Sequence, residues 1–356
     1  MPPSAISFGF FDHLDRPVGP PGPVDLTTFF EDRLRLVEAV DRAGFRTLHV
    51  AEHHATPLGM APMPGIYLAA VAQRTRRLRF GPLVYILPLY PPLRLVEEIC
   101  MLDQLSGGRF ELGVGRGISP YELAYYGVNY LEAREIYEEA LEVILAGLRA
   151  GSENRKLTHR GPHYKFLGVP MELAPVQRPH PPLWQGIGSP DAAAEAARRH
   201  VSIVTNAPAV AVRTIVEAYW TAWPGRDGAE PPLVGMQRHI HVAPTDEEAV
   251  AAARPAYQAW YESLVHLWRQ FGSSPVRFAD SLERAIANDV ALVGSPASVR
   301  AQLERQLETS GVRYLVGRFI FGTLTSEQAM RSLRLFADEI MPHFTAPTPA
   351  PVEGRR

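Results

Sequence analysis

The chain has almost nothing with which to cross-link itself. Cys100 is the one cysteine in 356 residues, so an internal disulfide is excluded. Its place in the apolar helical run Leu95, Val96, Ile99, Met101, Leu102 reads as a buried, inert thiol rather than a nucleophile. Charge of one sign is also lacking: 36 Lys and Arg against 38 Asp and Glu leave a net charge of −2. Nucleic acid and anionic membranes are therefore not expected as partners. No run approaches the roughly 18 uninterrupted apolar residues of a membrane-spanning helix. The opening MPPSAISFGFFDHLD has neither a basic start nor a long apolar core, and the expectation is a cytoplasmic protein.

What is abundant is core-forming sequence, with 46% hydrophobic and 21% charged residues, and 33 prolines gathered into connections. The patterning alternates short β-like runs with amphipathic helical ones. Strands are predicted at 6–11, 47–51, 78–85, 110–114, 183–187, 201–205, 235–242 and 314–320. Helices are predicted at 25–43, 65–75, 91–106, 131–150, 191–199, 210–220, 245–271, 297–309 and 326–343; residues 290–294 lead into the helix at 297. The stretch 151–182, broken by Gly161-Pro162 and 179–182, is an excursion with room for a small hairpin. Eight strands in this order predict a (β/α)8 TIM barrel with insertions after strands four and seven. One domain is expected over residues 1–344, followed by a disordered tail, 345–356.

The chain is organised around residues 102–127, LDQLSGGRFELGVGRGISPYELAYYG. A helix stops at Ser106-Gly107-Gly108, a short buried strand follows, and its carboxyl end opens into Gly115-Arg116-Gly117. Bare backbone beside a fixed cationic fork suits a phosphate-bearing ligand. The spacing is not a dinucleotide fingerprint, because Ile118 stands where the third glycine belongs, and no phosphate-loop Gly-Lys-Ser/Thr follows. An ordinary βα turn with a solvent-facing arginine accounts for the same residues. Barrel chemistry sits at the carboxyl ends of strands, where Asp12-His13, Glu52-His53-His54, Arg116 and Ser189 fall. His239-Ile240-His241 puts two imidazoles on one face of strand seven and motivates a second reading, a metal-dependent barrel hydrolase. Against it, the expected His-x-His at strand one is replaced by SFGFFDH.

Glu52-His53-His54, LDQLSGGRFELGVGRG, GSPDAAAEAA and the closing VGSPASVRAQLERQ and LFADEIMP together resemble the bacterial luciferase-like flavin monooxygenase family. The resemblance runs from about residue 6 to 343. It implies an FMN-dependent monooxygenase using reduced flavin and O2 on a small, apolar organic substrate, with no metal. A cofactor site at Gly115, Arg116, Arg134, Gly188, Ser189 and Pro190 is implied, with a non-proline cis peptide at Leu83-Val84 under the flavin ring. Arg134 opens a helix, and the amides after Ser189 head another, as a dianion requires. Pro190 and the following alanines stand where luciferase proper offers hydroxyls, so backbone amides must do more here. His53 takes the position of the family's catalytic histidine, a suitable proton donor or base at neutral pH, and His54 reads as structural. Phe10, His13, Ser119 and Tyr121 are candidate substrate-pocket residues, and the aromatic side of helix 245–271 reads as core. The resemblance further implies a homodimer, a separate NAD(P)H:flavin reductase and, as the alternative cofactor, the deazaflavin F420 serving an oxidoreductase without oxygen chemistry.

Overall fold

The computed structural model describes residues 5–16, 25–225, 230–273 and 278–345. The expected tail beyond Thr345 and most of the loop after strand one lie outside these residues. The first half of the chain runs β1 (Ser7–Asp12), α1 (Leu26–Arg42), β2 (Thr47–Val50), α2 (Pro64–Arg74), β3 (Arg79–Pro82), β4 (Tyr85–Ile86), α3 (Pro92–Ser106), β5 (Leu112–Gly115), α4 (Pro120–Tyr125) and α5 (Ala133–Ser152). It continues as β6 (Lys156–Arg160), β7 (Lys165–Pro170), β8 (Leu183–Gly186), α6 (Pro190–Arg198), β9 (Ser202–Thr205), α7 (Ala209–Ala222), β10 (Val234–Val242) and α8 (Asp246–Gln270). α9 (Leu282–Ala287), β11 (Ala291–Gly294), α10 (Pro296–Ser310), β12 (Tyr314–Arg318) and α11 (Ser326–Glu339) complete it.

Parallel pairing runs β3-β2-β1-β12-β10-β9-β8-β5-β4. β3 and β4 are two halves of one barrel strand on either side of a cis Leu83–Val84 bond, and a Phe80–Phe110 bridge brings β3 against β5. The result is the expected (β/α)8 barrel, with β11 as an extra parallel strand on the far half of β10. β6 and β7 form an antiparallel hairpin inside the excursion.

Local chemistry explains the element ends. Asp25 caps α1 by accepting the Thr28 N–H at 2.8 Å, and α3 stops at Gly107, whose φ of +64° needs no Cβ. Strand alternation divides the core in two. Phe8 and Phe10 point outward, Phe10 stacking on Phe319 at 5.7 Å and meeting Phe45 edge-on at 6.4 Å. Phe11 points inward and packs with Trp184, Val204, Tyr314 and Val316. Burying each such ring contributes about 1.5–3 kcal/mol. A Cβ on Gly9 would lie 2.0 Å from the Tyr314 hydroxyl, so the glycine makes room for that ring in the barrel interior.

Three expectations need correction. Strand three is not continuous over 78–85, because the cis bond interrupts its ladder. Residues 290–294 contribute a strand, not only a lead-in, since the short ALVG run is buried on every residue and pairs with β10. The helical stretch 326–343 ends at Glu339, and the next turn, Met341–His343, is tightened to 3-10 by Pro342 near its start.

Candidate active site

The carboxyl ends of β5 and β8 build a cavity of about 300 Å³ lined by Gly115, Arg116, Arg134, Gly186, Ile187 and Ala192, among others. Arg116 comes from the turn after β5 and Arg134 from the first turn of α5. Arg116 Nη2 donates to the Tyr130 hydroxyl at 3.0 Å and its guanidinium lies 4.9 Å from that ring's centre, and it makes no ion pair among the described residues. Arg134 is exposed and makes no ion pair among the described residues. The two glutamates on this wall are committed elsewhere: Arg199 takes Glu138 at 3.1 Å and Glu195 at 2.9 Å. Two cationic forks therefore face the cavity uncompensated. Gly188 is exposed, and nothing within 4 Å would meet a Cβ there. Ser189 caps α6, its hydroxyl accepting the Ala192 N–H at 3.3 Å, with Pro190 at the first helical position. Pro190 has no N–H, and the Ala192 and Ala193 amides are given to the Ser189 hydroxyl and carbonyl, so the Asp191 amide is the donor this turn leaves for an anion. A larger cavity, about 940 Å³, continues outward under the β6–β7 hairpin against the acidic side of α5. Its Glu139 is already spent on His159 and the His163 and Tyr164 amides, and volume alone does not make it the chemical centre.

The glycines of β5 answer to packing. A Cβ on Gly113 would sit 1.9 Å from the Pro82 carbonyl, and one on Gly115 2.4 Å from Val84. β5 thus lies directly against the break in strand three, and Leu83 and Val84 stay half-buried at the mouth. Glu52, buried at the end of β2, ties this corner together. One oxygen accepts from the Ile86 amide at 3.0 Å and the Tyr90 hydroxyl at 2.9 Å, and the other meets His54 Nε2 at 2.8 Å. The Tyr126 hydroxyl reaches His54 Nδ1 at 2.8 Å. Both nitrogens of His54 are engaged, which makes it a brace. Burial raises the Glu52 carboxyl above its ordinary pKa, against the lowering effect of His54 and these donors.

His53 is different. Its Nδ1 meets the buried Glu122 carboxylate at 3.1 Å, and no partner engages Nε2 among the described residues. Glu122 lies in α4, a helix too short for periodicity to reveal, although Ser119-Pro120 followed by Glu122 is an N-cap signature. A carboxylate on Nδ1 fixes the tautomer and leaves Nε2 to exchange a proton.

The four candidate pocket residues separate. Phe10 belongs to the outer core and does not face the mouth, because period-two alternation gives that role to Phe11. Ser119 is buried as the α4 cap, its hydroxyl taking the Glu122 N–H at 3.3 Å. Tyr121 stacks on Phe271 at 4.5 Å and meets the Ser273 hydroxyl at 2.6 Å, joining the insertions after β5 and β10. His13 does reach the interior, with its ring 5.4 Å from that of His53. Burial, and Arg318 after it, hold His13 well below the usual imidazole pKa. Arg318, which the sequence reading passed over, ends β12 between the rings of Phe11 and Trp260, each 4.9 Å from its guanidinium. His239 faces Arg318 at 2.7 Å. No cluster of three or more metal-ligating side chains occurs among the described residues, so the hydrolase reading finds no support. Tyr257, Trp260, Leu264 and Leu267 are buried, as expected of core. Cys100 is buried too, its thiol pushed up to about 12 by burial.

The fold is thus a parallel barrel that brings two arginines without carboxylate partners to the ends of its fourth and fifth strands and a carboxylate-held histidine to the end of its second. The luciferase-like monooxygenase family matches residues 8–314, and the chain belongs to that family. It is 39% identical over 342 residues to an uncharacterized Sinorhizobium fredii protein, y4wF, covering 95% of this chain and 97% of that one. Rhodococcus erythropolis limonene 1,2-monooxygenase is 29% identical over 87% of this chain and 80% of its own. The oxygenase component of the flavin-dependent trigonelline monooxygenase of Acinetobacter baylyi is 24% identical over 72% of each. Among solved structures, the monooxygenase RslO1 of Streptomyces bottropensis superposes with a TM-score of 0.81 at 27% identity, covering 96% of this chain and all of that one. The oxygenating constituent of Pseudomonas putida 3,6-diketocamphane monooxygenase, solved with FMN, has the same fold, with a TM-score of 0.78, 22% identity and coverage of 96% and 100%. No helix among the described residues is long and apolar enough to cross a membrane.

Proposed function

We propose that this chain is the oxygenating enzyme of an FMN-dependent monooxygenation, acting with O2 on a small organic substrate that is mostly apolar. The convergence of Arg116, Arg134 and the first turn of α6 on one cavity carries this reading. Two guanidinium groups without carboxylate partners, and the Asp191 amide at the head of α6, suit a phosphate dianion. Leu83, Val84 and Gly115 border the space next to that corner, where a planar ring would rest. Bound reduced flavin would supply the two electrons that activate O2. His53, held at Nδ1 by Glu122, would hold or deliver a proton from Nε2. Tyr121 and Phe271 would wall the mouth and keep water from it. Electrons would come from a separate NAD(P)H:flavin reductase, since the chain carries no nicotinamide fingerprint and a relative is named as the oxygenase component of its system. Any phosphate-bearing flavin could use the same corner, including the deazaflavin F420, so the test carries both.

Calorimetric titration of the purified chain with FMN and with F420 separates the two cofactors, and oxygen uptake on adding reduced FMN tests the chemistry. Alanine at both Arg116 and Arg134 removes two charge-assisted contacts of about 1.5–3 kcal/mol each, which predicts a loss of about two to four decades in FMN affinity. Unchanged affinity in that double variant rejects the phosphate corner, and full oxygenation by His53→Asn removes His53 from the chemistry.

A further inference from the structure

Three neighbouring strand ends, opposite the phosphate corner, hold a cluster that nothing above uses. β12 lies between β1 and β10 in the sheet, and His239 is the residue across from Arg318 in the ladder. Arg318 Nη1 donates to His239 Nε2 at 2.7 Å, and Nη2 reaches toward His13 Nε2 at 3.4 Å. The indole N–H of Trp260 reaches the other nitrogen of His13 at 3.2 Å. A neutral imidazole has a single acceptor nitrogen. One of the two donors facing His13 is therefore left without an acceptor.

The shortage continues around the guanidinium. Arg318 Nε is buried with no partner, and Nη2 has only the long contact, so the edge that could grip two oxygens side by side is open. Arg318 makes no ion pair among the described residues. Of the nearby carboxylates, Asp12 meets Arg33 at 2.9 Å and the Leu14 amide, and Asp15 meets the Gly322 amide with Arg33 at 3.7 Å; Asp12 Oδ2 and Asp15 Oδ1 are buried without a hydrogen bond, and neither carboxylate pairs with Arg318 among the described residues. They offset its charge from a distance only. A buried cation between two aromatic faces, hydrogen-bonded to two imidazoles and with its Nε unpartnered, lacks an oxygen within hydrogen-bond reach.

We propose that Arg318, His13 and His239 form a binding site for one anionic oxygen group, a carboxylate or enolate, at the floor of the barrel mouth. His13 stands 5.4 Å from His53 between ring centres, so a group gripped by Arg318 is held beside the proposed proton donor. Two sources share this chemistry: an acidic oxygen on the organic substrate, or the anionic ring of reduced flavin. Naming those sources rests on the proposed function; the existence of an anion site does not.

The full chain is titrated at pH 8, without flavin, with benzoate and with its neutral isostere benzamide. Tryptophan fluorescence is the readout, since Trp260 touches the site. Saturable quenching by benzoate, at least tenfold weaker with benzamide and at least tenfold weaker in Arg318→Gln, assigns the site to a substrate oxygen. Arg318→Lys keeps the charge, loses the fork and falls between. A parallel anaerobic titration compares oxidised with reduced FMN. Loss of affinity for the reduced form alone in Arg318→Gln assigns the same site to flavin. Failure of the phosphate corner would weaken both flavin forms equally and leave benzoate untouched. If both variants keep the wild-type circular dichroism while benzoate, benzamide and both flavin forms bind as in the wild type, the proposal is overturned.

Discussion

The two ends of the barrel treat charge in opposite ways. At the amino-terminal end, Asp41 closes the turn before β3 by accepting three backbone amides, Arg76 at 2.8 Å, Arg77 at 3.1 Å and Leu78 at 2.7 Å. Arg109, just before β5, donates to the Ala72, Leu78 and Ser106 carbonyls and to the Thr75 hydroxyl, all within 3.0 Å. These groups are saturated by the chain itself. At the carboxyl end, Arg134 has no partner among the described residues, Arg116 has a tyrosine, and Arg318 has two imidazoles. Charge at the first end completes the fold. At the second it is left without carboxylate partners among the described residues, as the proposed ligand sites require and as barrels generally divide stability from chemistry.

Disturbing the saturated end should give the largest effect on stability and none on binding. Asp41→Ala strands three amides and removes an acceptor held below its ordinary pKa; burial opposes that lowering, and the amides of Arg76, Leu78 and Arg77 outweigh it. A loss of about 5 kcal/mol in denaturant unfolding is expected, from hydrogen bonds to a charge at about 1.5–3 kcal/mol each. FMN affinity of the remaining folded protein should stay at the wild-type value. A variant that unfolds normally but binds flavin poorly would break the division between the ends.

The next effect is one of pH. Burial lowers His241 to about 4, so its neutral form stabilises the fold above about 6.5, and that stability is lost as pH falls toward 4. The full shift corresponds to about 3 kcal/mol. Asp15 runs the other way. Burial raises it to about 6, so its contribution is complete below about 3.8 and lost as pH rises through 6. Unfolding midpoints measured from pH 7 to pH 4 should therefore fall less steeply in His241→Gln and more steeply in Asp15→Asn. Parallel slopes in all three proteins would mean that the buried mouth does not titrate as its burial dictates.

How much of this was readable beforehand follows from what each signal averages over. The barrel was legible because eight β-like runs and the helices between them repeat one pattern, and Gly107 and Gly108 marked a stop that only positive φ satisfies. The residues alone marked Arg116 in a turn suited to an anion and left Arg134 as a surface position; that the two would line one cavity came from the family resemblance. Phe10 and Phe11 were not separable, because in FGFFD either phase of alternation buries an aromatic ring. Arg318 could have been noticed as a lone charge on the inward phase of Tyr314, Val316 and Arg318. Its partners could not, since His13 and His239 join it only when the barrel closes. Glu122 was hidden for the same reason: six residues of helix bring it to a histidine on another strand.

That contact gives the smallest and sharpest test of the comparison. If charge at the mouth is reserved for chemistry, Glu122 should matter to turnover far more than to folding. Glu122→Gln keeps the shape and still accepts the Nδ1 proton, but it replaces a charge-assisted hydrogen bond by a neutral one. A drop of about tenfold to a hundredfold in oxygenation rate is expected, at the lower end of general acid-base effects. FMN affinity should be unchanged and unfolding should move by about 1 kcal/mol or less. Glu122→Asp, which retains the charge, should recover part of the rate. A merely structural carboxylate would alter stability in both variants and leave the rate of the folded protein where it was, and Glu122 would then belong with Asp41 among the groups spent on the fold.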